Sequence, residues 1–136
     1  MLVNDDGKIK EILRSARTIA VVGASPKPGR DSGRIARFLR KQGYTVFPVN
    51  PSYSTIDDQR CYPSLRDLPV SIDIVDVFRR PEELDPIVDD AIAIGAHVLW
   101  CQYGVVNENA AERAVKAGMD VVMDMCIAVE YNRLIR

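Results

Sequence analysis

Five short apolar runs, separated by segments of helical periodicity, constrain the fold of this chain more than any other feature. They cover residues 18–23, 44–49, 72–78, 97–101 and 120–123. The first run shows the type. Thr18-Ile19-Ala20-Val21-Val22 is rich in β-branched residues, lacks polar alternation and stops at Gly23. A strand that is apolar on both faces must be covered on both, which is the condition of a parallel sheet in an α/β protein.

The intervening segments supply the cover. Asp5 or Asp6 can cap a first helix whose Ile9, Ile12, Leu13 and Ala16 fall at i, i+3, i+4 and i+7. Asp31 or Ser32 can cap a second, with Ile35, Phe38 and Leu39 inward and Gly43 at its end. Residues 52–68 read as a looser stretch. Pro81-Glu82-Glu83-Leu84 reads as one isolated turn, after which Asp85 caps a helix with Pro86 in its first position. Ile87, Val88, Ala91 and Ile92 form the buried stripe of that helix. Asn107 caps a fourth helix running to Ala117, and Ile127, Tyr131 and Leu134 mark a short last one. Strands alternating with helices imply βαβ units with right-handed crossovers. The expected fold is a three-layer, Rossmann-like, doubly wound α/β sandwich. Its sheet is mainly parallel with five strands or slightly more, and residues 1–136 form one domain.

Composition narrows the function. Eighteen basic side chains face nineteen acidic ones, so no nucleic-acid footprint or membrane-surface patch is expected. Arg34, Arg37, Arg40 and Lys41 alternate with apolar residues and read as a solvated helix face. No apolar run reaches the roughly 20 residues of a membrane span, and the first ten residues are too polar and acidic for a signal peptide. Three separated cysteines and one histidine give neither a disulfide framework nor a zinc set, which fits a cytoplasmic setting.

In open parallel sheets ligands bind beyond the C-terminal strand ends, where strand order switches. The residues after the first strand carry the most chemistry there. Gly23, Ala24 and Ser25 let a phosphate approach the backbone, and the next helix offers free N–H groups. Ser25 and Ser32 add hydroxyls; Lys27 and Arg30 add charge. The loop is neither a G-x-G-x-x-G fingerprint nor a P-loop. The second strand ends in Asn50-Pro51, not in the acid that holds ribose in a typical NAD site. Phe78 and Arg79 can border an adenine ring or a phosphate, although Phe78 equally suits the core. Gln102, Gly104 and Val105 suit an amide-bearing arm as well as an ordinary turn. Asp124, Cys126 and Glu130 gather after the last strand, where the Cys126 thiol is either packing or reactive. His97 opens a strand at the opposite edge, and Cys61 and Cys101 read as structural. No histidine partners Ser25, so a Ser-His-Asp hydrolase is not expected.

These pieces, in order, resemble the small stand-alone CoA-binding domain family, which is similar to the nucleotide-binding domain of the succinyl-CoA synthetase α subunit. The matching segments are Val22-Gly23-Ala24-Ser25, Pro28 with Arg30 and Ser32, and Val49-Asn50-Pro51. They continue with Tyr62-Pro63-Ser64-Leu65, Asp76-Val77-Phe78-Arg79, Trp100-Cys101-Gln102-Tyr103-Gly104-Val105 and Asp124-Met125-Cys126. The resemblance implies that coenzyme A or an acyl-CoA binds at the C-terminal sheet edge. By that likeness Gly23, Ala24, Ser25, Lys27 and Arg30 would hold the pyrophosphate. Asn50, Pro51, Ser52 and Tyr53 would border the adenosine, with Phe78 and Arg79 flanking the base. Gln102, Gly104 and Val105 would approach the pantetheine, and Cys126 its thiol end. The residue after Asn50-Pro51 is often basic in the family; here it is Ser52, which leaves the 3′-phosphate to Arg79. The larger synthetases ligate through a phosphohistidine and a nucleotide-grasping domain. Neither is evident here, so the expectation is a carrier, sensor or regulatory module without its own catalysis. The competing expectations are an NAD(P)-dependent oxidoreductase or redox sensor, and an interaction subunit that has lost its ligand. A protein partner or a homo-oligomer is compatible with all three.

Overall fold

A computed structural model describes residues 1–135. In chain order the elements are α1 (Asp6–Ser15), β1 (Thr18–Val22), α2 (Asp31–Lys41) and β2 (Thr45–Val49). A small antiparallel hairpin, β3 (Thr55–Ile56) and β4 (Gln59–Arg60), follows. Then come β5 (Ile74–Val77), α3 (Leu84–Ala93), β6 (Val98–Cys101), α4 (Glu108–Lys116), β7 (Asp120–Val122) and α5 (Ile127–Leu134). The sheet has five strands in the order β2-β1-β5-β6-β7, and every pair is parallel. This is the doubly wound α/β sandwich expected from the alternation of runs.

Alternation of side chains along the strands divides the core. Ile19, Val21, Ile74 and Trp100 pack with Leu13, Ile35, Leu39 and Ile127 of α1, α2 and α5. Ala20, Val75, Val77 and Leu99 pack with Leu84, Val88, Ala110 and Ala114 of α3 and α4. Short backbone bridges cover part of both sheet edges, shortening the free strand edge that could pair with other chains. Val3 donates its N–H to the Val121 carbonyl, and Val121 donates to that of Met1, so the N-terminal residues cover β7. Tyr62 covers β2 in the same way, exchanging backbone bonds with Pro48 and Asn50.

Local differences from the sequence reading have identifiable causes. Asp5 caps α1, accepting from the Lys8 N–H at 2.9 Å. At α2 the cap position is Arg30, with no side-chain cap bond. Asp31 lies inside the first turn, and the Ser32 hydroxyl is engaged by the preceding loop. The segment 81–84 is not isolated: a 3₁₀ turn, Pro81–Glu83, runs directly into α3, which starts at Leu84 instead of after Asp85. The α3 stripe is accordingly Leu84, Val88 and Ala91, with Ile87 half-buried beside them, and Ile92 is exposed. The looser stretch 52–68 contains the hairpin and a 3₁₀ turn at Leu65–Asp67. Tyr44 precedes its strand, and its hydroxyl donates to the Leu13 carbonyl, tying the start of β2 to α1. No helix among the described residues is long and apolar enough to cross a membrane.

Candidate functional site

The chain leaves β1 for β2 on one side of the sheet and returns to place β5 on the other. The switch point therefore falls between β1 and β5, and a cavity of about 620 Å³ opens there. That size lies within the range of roughly 300–1,000 Å³ usual for small-molecule sites. Its wall takes Gly23 and Ser25 from the loop after β1, and Arg30, Ser32, Arg34 and Ile35 from the start of α2. Phe78, Arg79 and Arg80 come from the loop after β5, and Gln102, Tyr103, Gly104 and Val105 from that after β6. Cys126, Ala128 and Val129 complete it from the start of α5.

Gly23 sets the approach. Its φ of +87° belongs to glycine, and a Cβ there would stand 2.7 Å from the Phe78 carbonyl oxygen. The β1 loop is thus pressed against the β5 loop with no room for a side chain. Beyond it, the Ser25 N–H donates to the Ser32 hydroxyl at 3.1 Å and the Ser25 hydroxyl accepts from the Lys27 N–H at 3.2 Å. The loop is folded back on the first turn of α2, where backbone N–H groups lack intrahelical partners.

Charge is concentrated on that side. Arg30, Arg34, Arg79 and Arg80 line the cavity together with the single acid Asp31. Asp31 pairs with Arg34 at 3.2 Å. Glu83 lies between Arg79 (3.6 Å) and Arg80 (3.2 Å); its hydrogen bond from Arg80 holds its carboxyl below the usual range. Arg30 has no acidic partner among the described residues. The local excess of guanidinium groups suits a polyanion.

Not every residue singled out from the sequence reaches the cavity wall. Ala24 is buried beneath the loop and Lys27 stands exposed at its tip. Pro51 and Ser52 are exposed beyond β2, and Tyr53 packs on the core. The Asn50 side chain instead bonds within the protein, donating to the Ala24 carbonyl and accepting from the Ser52 N–H, both at 2.8 Å. It fastens the end of β2 to the β1 loop. Asn50→Ala is expected to lower stability by about 1–3 kcal/mol, because the buried Ala24 carbonyl loses its donor; urea unfolding followed by circular dichroism measures this.

Gln102 lines the cavity and is also engaged within the protein. Its side-chain oxygen accepts from the Ile127 N–H at 3.1 Å, capping α5. Gly104 is held by the Asp124 carboxylate, 2.8 Å from its N–H. Glu130 pairs with Arg133, which also binds Asp6 and so joins α5 to α1. His97 is exposed beside Asp73 at the far end of the sheet, and burial pushes the Cys101 thiol up to about 12. Cys126 lies in the wall as expected, whereas Ala128, Val129 and Asn132 of α5 and Arg34, which reads from the sequence as part of a solvated face, join it unanticipated. The spacing of Ala128, Val129 and Asn132 is a helical signal, but only the packing of α5 on α2 turns it toward the cavity.

A family model for the CoA binding domain matches residues 17–132. The chain belongs to the CoA-binding domain family. Among relatives of this CoA-binding domain, an uncharacterized protein of Bacillus subtilis, YneT, is 39% identical over 124 residues, covering 91% of this chain and 92% of the relative. A solved structure, a hypothetical protein from Pyrococcus horikoshii, superposes with a TM-score of 0.95 at 41% identity, over 98% of this chain and 94% of that one. The ADP-forming acetate–CoA ligase I of Archaeoglobus fulgidus is 40% identical over 76 residues, which are 56% of this chain and 11% of the ligase. The domain is thus related to one part of a much larger enzyme. Within the resemblance, Asn50 and Gln102 take internal hydrogen bonds, and Arg34 and α5 join the wall.

Proposed function

We propose that this domain binds coenzyme A across the switch point of its sheet, as a soluble cytoplasmic carrier, sensor or regulatory module without its own catalysis. The observation that carries the reading is the juxtaposition of unpaired Arg30, the start of α2 and the Gly23 turn in one cavity of about 620 Å³. On this reading the pyrophosphate lies against Gly23, Ser25 and Arg30, and Arg79 meets the 3′-phosphate. The adenosine extends past Phe78 over the ends of β1 and β2, toward exposed Pro51 and Ser52. Lys27 adds charge from the loop tip, while Asn50 and Ser32 hold the loop in shape. The pantetheine runs past Gly104 and Val105 toward Cys126. An NAD site would want an acid at the end of β2; Asn50 stands there with its amide bonded to the protein.

Isothermal titration with coenzyme A and with NAD tests the reading. Coenzyme A is expected to bind the more tightly. Arg30→Ala is expected to weaken it by roughly 1.5–3 kcal/mol, the worth of one hydrogen bond to a charged group. That variant should keep its melting temperature, since Arg30 is exposed and has no acidic partner among the described residues. Absence of coenzyme A binding at millimolar protein, or tighter binding of NAD, overturns the reading.

A further inference from the structure

The cavity is chemically polarised, and part of its uncharged end, at Tyr103 and Val129, lies outside the residues assigned above to the pantetheine. Its guanidinium groups come from the loops after β1 and β5 and from α2. The loop after β6 contributes Gln102, Tyr103, Gly104 and Val105, and α5 contributes Cys126, Ala128 and Val129, with no charged group in either set. In sheet order β6 is two strands from β1, so its loop stands on the order of 10 Å from the Gly23 turn at about 4.8 Å per strand.

That uncharged end is partly open to water. Among the described residues the exposed large hydrophobics are Met1, Leu2, Val70, Ile92, Tyr103, Val106 and Val129. Met1 and Leu2 lie together at the N-terminus away from the cavity wall, and Val70 and Ile92 are single exposed apolar side chains, which need no explanation. Tyr103 and Val129, 63% and 46% exposed, both line this one cavity, and Val106 adjoins its wall. Between them the floor is buried Val105 and Cys126. The nearby carboxylate of Asp124 is held on the Gly104 N–H.

We infer that the rim formed by Tyr103 and Val129 holds the acyl chain of an acyl-CoA, so that this site selects a thioester with an apolar acyl group over free coenzyme A. The inference rests on the coenzyme A reading above, which places phosphates at the guanidinium end and the sulfur near Cys126. Free coenzyme A leaves the rim wet; an acyl chain continuing past the sulfur covers it. Continuity of the apolar wall with the charged end favours a chain carried on the same ligand.

Titration of the intact protein with coenzyme A and with hexanoyl-CoA tests this. A fully buried methylene is worth about fourfold in affinity, so a six-carbon chain partly covered by an open rim should bind about tenfold tighter than coenzyme A. In the double variant Tyr103→Ser/Val129→Ser the ratio of the two dissociation constants should fall to about threefold or less by the same scale. Both positions are exposed, and circular dichroism confirms folding of the variant. If the wild type binds coenzyme A but hexanoyl-CoA no better, the acyl assignment fails and the coenzyme A reading stands. A preference that survives in the double variant overturns the assignment to this rim. Binding of neither ligand overturns the coenzyme A reading and this inference with it.

Discussion

Gly23→Ala is expected to lower the unfolding midpoint by on the order of 10 °C and to abolish ligand binding with it. Two independent penalties fall on the same atom. A non-glycine residue in a left-handed conformation costs about 1–2 kcal/mol, and the φ of Gly23 is +87°. The new methyl would also meet the Phe78 carbonyl oxygen at 2.7 Å and the Arg79 Cδ at 3.0 Å. The arginine can swing aside, but the carbonyl belongs to backbone whose N–H is bonded to the Val22 carbonyl at 2.8 Å. Overpacking of that kind costs typically about 1–3 kcal/mol. The total of roughly 2–5 kcal/mol corresponds to about 8–20 °C at this chain length. Relief comes only by parting the β1 and β5 loops, which widens the cavity and displaces Arg79. Gly29→Ala is the control for stability, because apart from its chain neighbours none of the described residues lies within 4 Å of its Cβ position. It should shift stability by no more than about 0.5 kcal/mol. Thermal unfolding with and without coenzyme A measures both effects.

Asp76→Val is expected to act in the opposite direction, stabilising the protein by about 1–3 kcal/mol at neutral pH. Asp76 occupies the central strand β5 between Val21 of β1 and Trp100 of β6. It is completely buried, and neither carboxylate oxygen has a hydrogen-bond partner among the described residues. Burial raises its pKa well above the ordinary value, so the carboxyl holds its proton more firmly in the native state than in the unfolded chain. The sign of the pH dependence follows from that direction. Below the unfolded pKa, near about 4, both states are protonated and the stability is fully present. As pH rises, the unfolded state ionises first and falls in free energy relative to the native one. The difference grows by up to about 1.4 kcal/mol per pH unit until the native carboxyl ionises. Wild type minus Asp76→Val should therefore become steadily less favourable from about pH 4 upward. Urea unfolding of both proteins from about pH 4 to about pH 8 checks this. A difference that does not change with pH would mean that Asp76 is ionised and compensated in the native state.

These two positions also show what was legible in the sequence. Runs such as 18–22 and 98–101 are apolar on both faces, so their strands and the helices covering them follow from local composition. Gly23 was legible as a point of close approach, but only the structure shows that the Phe78 carbonyl forbids a side chain there. Asp76 was visible merely as part of the segment Asp76-Val77-Phe78-Arg79. Its isolation depends on which groups Val21, Trp100 and the helices present to it, and that is a tertiary fact. Asn50 and Gln102 illustrate the same limit from the other side. Polar residues at strand ends look like ligand contacts, yet the Asn50 amide bonds to Ala24 and Ser52, and the Gln102 amide oxygen to Ile127 even though Gln102 lines the cavity. Local sequence does not reveal whether a side chain's hydrogen bonds are already used internally. The closure of β7 by residues 1–3 and the turning of α5 toward the cavity were hidden for a related reason. Each is a contact between segments more than 90 residues apart or nearly so.

A crystal structure of the protein grown with coenzyme A tests the account most directly. The pyrophosphate is expected within hydrogen-bond distance of the Arg30 guanidinium and of backbone N–H groups between Gly23 and Ser32. The sulfur is expected on the side of Cys126. Density for the ligand elsewhere on the surface, or a phosphate end seated beside Tyr103 and Val129, would contradict the account.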